Sequence, residues 1–423
     1  MKRALRDAAV FILCFLIIFH LLDRMTFDIS NTSSTWEYIQ KRDSEPIDML
    51  FMGNSHAFCD VNPTIINQAM DLNTMILGAS SQPMDQIYEN LKLLLCYVHP
   101  KVIVLEAEGL LLTTDALLKR GKEGYLYSNF DSIWNPFLRL RAINDTVSRY
   151  EKWPEAYSQL IRPMNTWTRF QDHEAELQDM GKRYNFILGH CPRHNIIETA
   201  EEPVNVERKL IEAREQEGAE PLNVRDPVDA LDAFLDLAAR EKIPVYIFKA
   251  PILSYETELP KVAGILAEKE HSDPRISGYM NYSEQMTRFG IEKDDFSDIG
   301  HLNREGANKF TICVMDWLSG ELGIPYDLSK ATGIREESFE KLPDGRYRYA
   351  VSLLDNTLIR FIIRNGNGEV ISETEYSDIN YIEMPRVSES NRLSYRICAK
   401  KEIPGRSYPF DSIEYKFMHD TGE

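Results

Sequence analysis

The stretch "IDMLFMGNSHAF", Ile47 to Phe58, decides the fold. Ile47, Met49, Leu50, Phe51 and Met52 form a short apolar run after Pro46, the pattern of a strand buried on both faces of a parallel sheet. Gly53 ends the run and allows a sharp turn. Ser55 is thereby placed just beyond the carboxyl end of a strand, where open α/β sheets hold their ligand sites.

A serine hydroxyl needs a base to take its proton and an acid to orient that base. "DDFSDIGHLNREGANKF" offers both, with Asp298 and His301 three residues apart in a polar loop ahead of an apolar-periodic helix. That spacing lets the carboxylate hold one imidazole nitrogen while the other faces the serine. His56 is a weaker candidate base. Adjacent side chains at a strand end point apart, so His56 reads as a loop residue or a substrate contact. Cys59, four residues past Ser55 and away from the glycine break, is discounted as a rival nucleophile.

The "GNSH" after the first strand, the glycine ending a second strand in "NTMILGAS", and "DIGHLN" before a late helix resemble the SGNH (GDSL-type) hydrolase and acyltransferase superfamily. The resemblance is nearest to its membrane-anchored cell-surface branch, with the alginate O-acetyltransferases and the D-alanyl transfer protein of teichoic acids. It covers roughly Ile47 to Leu322. It implies a three-layer α/β fold, a Ser55, His301, Asp298 triad, and an oxyanion site at the backbone amides of Ser55 and Gly78. Gly78 also has a structural reading, as a residue that only permits a turn. Members of the superfamily usually carry an asparagine after the third strand; this chain has Glu106 and Glu108 there, a departure from simple esterases.

Further strands and helices fall in order around these motifs. Pro63 opens a helix through Met70, Pro83 opens another, and "KVIVLEAEGLL" is the third strand. Ala230 to Arg240 carries Leu231, Phe234, Leu235 and Ala238 on one helical face, and "IPVYIFKAP" is the next strand, ending at Lys249 near the expected site. Asn303 is the expected N-cap of the helix bearing Ala307, Phe310, Val314, Trp317 and Leu318.

The expected organisation is an N-terminal membrane segment over 1–27, a polar tether over 28–46, a catalytic domain over 47–330 and a β-rich unit over 331–423. Residues 112–229 read as an insertion over the carboxyl edge of the sheet, where Trp134, Trp153 and Trp167 either stack on sugars or pack a core. In the last unit, "RYRYAVSLL", "LIRFIIRN", "EVISETEY" and "RLSYRICAK" are short β runs, and "NGNGE" is a hairpin turn, together a small antiparallel sandwich.

Lys2, Arg3 and Arg6 precede an apolar run from Ala8 to Leu22, closed by Asp23 and Arg24. The run is shorter than the roughly 20 residues of a typical span, which raises a cleaved signal peptide as the alternative. No small-x-small cleavage site follows, so the expectation is an uncleaved anchor with the rest of the chain outside. A net charge of −18 excludes the basic footprint of nucleic-acid binding. The six cysteines are scattered and show no disulfide framework, and His190, Cys191 and His194 lack the second ligand pair of a zinc site. No metal or cofactor is expected.

The resulting expectation is a membrane-anchored, extracytoplasmic O-acyltransferase that transfers an acyl group, by the resemblance an acetyl, to a cell-surface polysaccharide through an acyl-serine. The resemblance further implies that a separate membrane acyltransferase supplies the donor. The alternatives are an esterase or deacetylase with the same triad and a non-catalytic surface binding protein.

Overall fold

A computed structural model describes residues 2–25, 32–41, 46–112, 123–147, 153–158, 160–162, 188–191, 225–253, 259–283, 285–344, 346–364, 369–384 and 392–401, with Thr114 and Leu117. Its centre is a five-stranded, all-parallel sheet in the order β2-β1-β3-β4-β5, comprising β1 (Met49–Gly53), β2 (Thr74–Gly78), β3 (Val102–Glu106), β4 (Val245–Lys249) and β5 (Ile276–Asn281). The order reverses between β1 and β3, so the crevice at the carboxyl ends of those strands is the topological switch point.

Alternation along each strand divides the core into two layers. Leu50, Met52, Met75, Leu77, Ile103, Leu105 and Ile247 face one side, where α5 (Met84–Leu94) and α9 (Arg225–Arg240) cover them. Met49, Phe51, Ile76, Val104 and Phe248 face the other, under α3 (Ser55–Asp60), α4 (Pro63–Met70) and α11 (Arg304–Leu322). The three-layer α/β reading therefore holds. Leu231, Phe234, Leu235 and Ala238 are fully buried on α9, and Asn303 caps α11 by accepting the Gly306 amide.

Three segments differ from the sequence expectation. The stretch read as a tether contains α2 (Ser33–Gln40), whose Trp36 and Ile39 are buried in the first core layer while Thr35 Oγ1 donates to the Ile76 carbonyl at 2.6 Å. Two apolar residues one turn apart suffice to dock an otherwise polar helix. The described part of 112–229 packs beside α5: α6 (Glu123–Asp131), α7 (Pro136–Thr146) and α8 (Trp153–Tyr157) contribute Leu126, Phe130, Ala142, Ile143 and Ala156 to that same core layer. It thickens a helical layer, and its Asn129 reaches the loop after β2, accepting from Gln82 Nε2 at 2.9 Å. Trp167, His194 and the stretch Val206 to Arg214 lie outside the described residues. Finally, β5 and the helix before it, α10 (Leu259–Ser272), extend the sheet at an edge where the sequence showed only a charged stretch.

The N-terminal helix α1 (Lys2–Met25) is longer than its apolar run, at 24 residues, or about 36 Å at 1.5 Å per residue. Its segment Arg3–Asp23 is long and apolar enough to cross a membrane or to serve as a signal sequence. The C-terminal unit holds two three-stranded antiparallel sheets. One runs β10 (Tyr381–Met384), β7 (Tyr347–Leu353), β6 (Ile334–Lys341); the other runs β11 (Arg392–Ala399), β8 (Thr357–Arg364), β9 (Val370–Glu373). Tyr349, Val351, Ile359 and Phe361 fill the core between them, as a sandwich requires. Asn308 of α11 donates to the Ile334 carbonyl at 2.6 Å and Gln68 of α4 accepts the Thr332 amide at 2.7 Å, tying this unit to the α/β domain.

If α2 is part of the folded core, Trp36→Ala destabilises the protein by about 3 kcal/mol, the usual cost of emptying a buried tryptophan site. The shift of the urea unfolding midpoint measures this, and a true tether would give no shift.

Candidate functional site

At the switch point β1 breaks through Gly53, whose φ of +155° lies where side-chain-bearing residues are rarely found. A Cβ there would stand 2.8 Å from that of Glu106 and 3.1 Å from that of Ala57, so the close passage of β1 past β3 and α3 also demands glycine. Asn54 then caps α3 by accepting the His56 amide at 3.0 Å, and Ser55 becomes the first residue of that helix.

His301 reaches this serine from the other end of the domain: its Nε2 lies 2.7 Å from Ser55 Oγ across 246 residues of chain. Its Nδ1 lies 2.9 Å and 3.1 Å from the two carboxylate oxygens of Asp298. Asp298 Oδ1 also accepts the amides of Gly300 and His301, both at 2.9 Å, which folds the DIGH segment around the carboxylate. With Nδ1–H donating to Asp298, Nε2 is left as the acceptor for the serine O–H. The loop is pinned on both flanks by buried Phe296 and Leu302, which form a β-bridge. Beneath it, a Cβ on Gly306 would fall 2.1 Å from the Asp295 carbonyl, so only glycine lets α11 start this close. The sequence-selected Ser55, Asp298 and His301 are thus assembled into one hydrogen-bonded chain that can move a proton from serine to imidazole.

Two residues acquire a place the sequence did not reveal. His56, read as a loop residue or substrate contact, is buried within α3, and its ring stacks on that of His301 with centroids 4.7 Å apart and planes 12° from parallel. Helical geometry, rather than strand alternation, sets its direction. Its Nδ1 lies 3.0 Å from Asp60 Oδ2, while Asp60 Oδ1 accepts the Leu302 amide at 2.9 Å. One fully buried carboxylate therefore ties the helix bearing Ser55 to the loop bearing His301. The i, i+4 spacing of His56 and Asp60 was the available signal.

Glu106 and Glu108, in place of the expected asparagine, form a cluster with Lys249. Lys249 Nζ lies 2.7 Å from Glu108 and 3.5 Å from Glu106, and Glu106 also accepts the Glu108 amide at 2.8 Å. Burial pushes the Glu106 carboxyl up to about 7, with Lys249 opposing the rise and Glu108 adding to it. Burial disfavours the Lys249 ammonium, but the two carboxylates outweigh it and hold the group above its ordinary value. Gly78 pairs with Gly53, and a Cβ on it would lie 2.9 Å from the Gly53 carbonyl, so close strand approach is sufficient reason for glycine there.

In the GHC segment, the His190 ring nitrogen Nδ1 and the Cys191 amide both lie within hydrogen-bonding distance of the Phe58 carbonyl, at 2.9 Å and 2.8 Å. Burial lowers the His190 imidazole to about 4, so the ring is neutral at physiological pH. Among the described residues no group of His, Cys, Asp and Glu could hold a metal ion.

No family model matches the chain, and no curated protein matches it. Among solved structures, one described as a gut microbial diltiazem-metabolizing enzyme is similar at 7% identity over 80% of this chain and 72% of that one. Its TM-score is 0.28, a level at which the likeness carries no argument.

Two measurements follow from the buried carboxylates. Asp60→Ala leaves the Leu302 amide and the His56 ring without their acceptor and destabilises the fold by about 2–3 kcal/mol, read from chemical denaturation. For Glu106, the folded protein holds a proton that the unfolded chain releases near its ordinary 4.5, so its contribution is full below pH 4.5 and is lost as the pH rises through about 7. Glu106→Gln removes this term, and the difference in unfolding free energy between the two proteins changes by up to about 3 kcal/mol over that window; a pH-independent difference would refute it.

Proposed function

We propose that this chain is a serine-dependent acyl-transfer enzyme of the SGNH type, anchored by α1 and acting outside the membrane on a cell-surface polysaccharide. The hydrogen-bonded chain Ser55, His301, Asp298 at the switch point of the sheet carries the reading. Three ordinary residues from opposite ends of a domain have little structural reason to meet in that order at a sheet crevice.

In the proposed reaction, Ser55 Oγ attacks the acyl carbonyl as its proton passes to His301 Nε2. Asp298 holds the imidazole orientation and offsets the charge of the imidazolium. The backbone amides of Ser55 and Gly78 receive the oxyanion. His301 returns the proton to the departing donor group, leaving an acyl-serine. An acceptor hydroxyl then gives its proton to His301 and attacks the acyl carbon, and His301 passes that proton to Ser55 Oγ as the acyl–serine bond breaks. The Glu106 carboxylate, engaged with Lys249 and backbone amides, offers no side-chain N–H donor where simple esterases have one. That substitution and the membrane helix support transfer to a surface acceptor over plain hydrolysis.

The test uses the full chain in detergent with a fluorophosphonate probe and a chromogenic acetyl ester. The expected outcome is a covalent adduct on the wild type that is absent from Ser55→Ala, and a rate reduced by at least about 10³-fold in His301→Ala. Equal labelling of Ser55→Ala would overturn the assignment. Acetyl release accelerated by an oligosaccharide, with the acetyl found on the sugar, distinguishes transfer from hydrolysis.

A further inference from the structure

The inner end of α1 is not a loose connection. Asp23, the residue that closes its apolar segment, is buried against the α6–α8 layer: Ser158 Oγ donates to Asp23 Oδ1 at 2.7 Å, and Arg139 of α7 approaches Oδ2 at 3.4 Å. Arg139 is held in turn by Asp131 at 3.1 Å, and Asp131 also receives Arg162 through two bonds of 2.7 and 2.9 Å. The level at which α1 would leave a bilayer is therefore fixed relative to α7, Ser158 and the turn at 160–162.

Among the described residues of this layer several large apolar side chains are exposed. Phe137 is 81% exposed, Ile161 49%, Trp134 42% and Leu140 36%. Phe137 and Leu140 share one face of α7 and flank Arg139 in sequence, and Ile161 lies between Leu160, whose amide faces Asp23, and Arg162. Trp134 is held outward by its backbone, whose amide donates to Gln40 Oε1 at 2.7 Å, while Gln40 Nε2 donates to the Trp36 and Ser132 carbonyls. Farther along the exposed face of α7 the character changes to Arg141 and Asn144, with Arg141 facing Asp145 at 3.9 Å. An apolar tip followed by a long cationic side chain is the order in which an interfacial helix meets lipid and then water.

We propose that Trp134, Phe137, Leu140 and Ile161 form a second membrane contact, seated in the outer leaflet of the same bilayer that α1 crosses. This rests on the reading of α1 as a membrane span. The occupant follows from continuity: the patch adjoins the buried end of a helix whose apolar side chains from Leu5 to Leu22 are themselves uncovered. Tryptophan and phenylalanine suit the boundary between headgroups and acyl chains, and side chains there sit about 5–10 Å into it. A chain of net charge −18 is suited to a zwitterionic leaflet rather than an anionic one. The catalytic domain is thereby held flush against the membrane, so that both an acyl donor delivered within the bilayer and a surface glycan meet Ser55 at a fixed height.

The test places a fluorophore on one exposed cysteine of the full chain in phosphatidylcholine nanodiscs, with Cys96, Cys313 and Cys398 replaced by serine and the buried Cys59 and Cys191 left in place. Labels at Phe137→Cys and Ile161→Cys are compared with one at Ile379→Cys, an exposed position in the C-terminal unit, all three made with Cys14→Ser. Native Cys14, within α1, serves as the anchor control. Quenching by lipids carrying a spin label high on the acyl chain is expected to be at least about threefold stronger at 137 and 161 than at 379, as shallow insertion requires. Equal quenching at all three positions, with Cys14 quenched by deep labels, overturns the proposal and leaves the anchor intact. An unquenched Cys14 overturns the anchor reading itself.

Discussion

The site depends on one buried carboxylate that takes no part in the proton chain. Asp60 holds the His56 ring with one oxygen and the amide next to His301 with the other. Because the rings of His56 and His301 stack nearly parallel, fixing His56 from α3 also limits the orientations open to His301. An imidazole between a carboxylate on one edge, a serine on the other and a second imidazole on its face has little freedom to rotate. Such orientation is what lets a general base work from a single ground-state geometry. The contact between His56 and Asp60 is itself buried, where its strength is least screened.

Close backbone approach is the second constraint. Gly53 lets β1 pass within contact of Glu106 and Ala57, Gly78 admits the Gly53 carbonyl, and Gly306 admits that of Asp295. Each removes a side chain where two segments of the site must come together. Sheet end, serine turn and histidine loop thus converge through missing Cβ atoms as much as through added contacts.

The central reading was legible because its signals are local and strong: a buried strand ended by glycine, and an acid three residues before a histidine at a helix start. The paired layers of Leu50 and Phe51, and the face carrying Leu231 and Phe234, likewise follow from simple periodicity. What was not legible depended on tertiary context. The α2 helix is mostly polar and owes its place to Trp36 and Ile39 meeting a sheet far along the chain. Strand β5 is an edge strand in which two of six residues, Ile276 and Gly278, are buried, and "ISGYMN" lacks the apolar run of its neighbours. The segment around α6–α8 carries helical apolar spacing, but spacing alone does not say which side of a sheet a helix will cover. His56 was misplaced because the chain becomes helical at Ser55, one residue earlier than a loop reading allowed.

The wide separation of Ser55 and His301 has a consequence in time. The serine belongs to the first strand–helix unit, whereas its imidazole partner arrives with the last helix of the same domain, 246 residues later. A chain emerging from its N-terminus presents the hydroxyl long before the base exists, and contacts of such high sequence separation form late in folding. A chain cut short of the His301 loop therefore carries the serine without its imidazole partner.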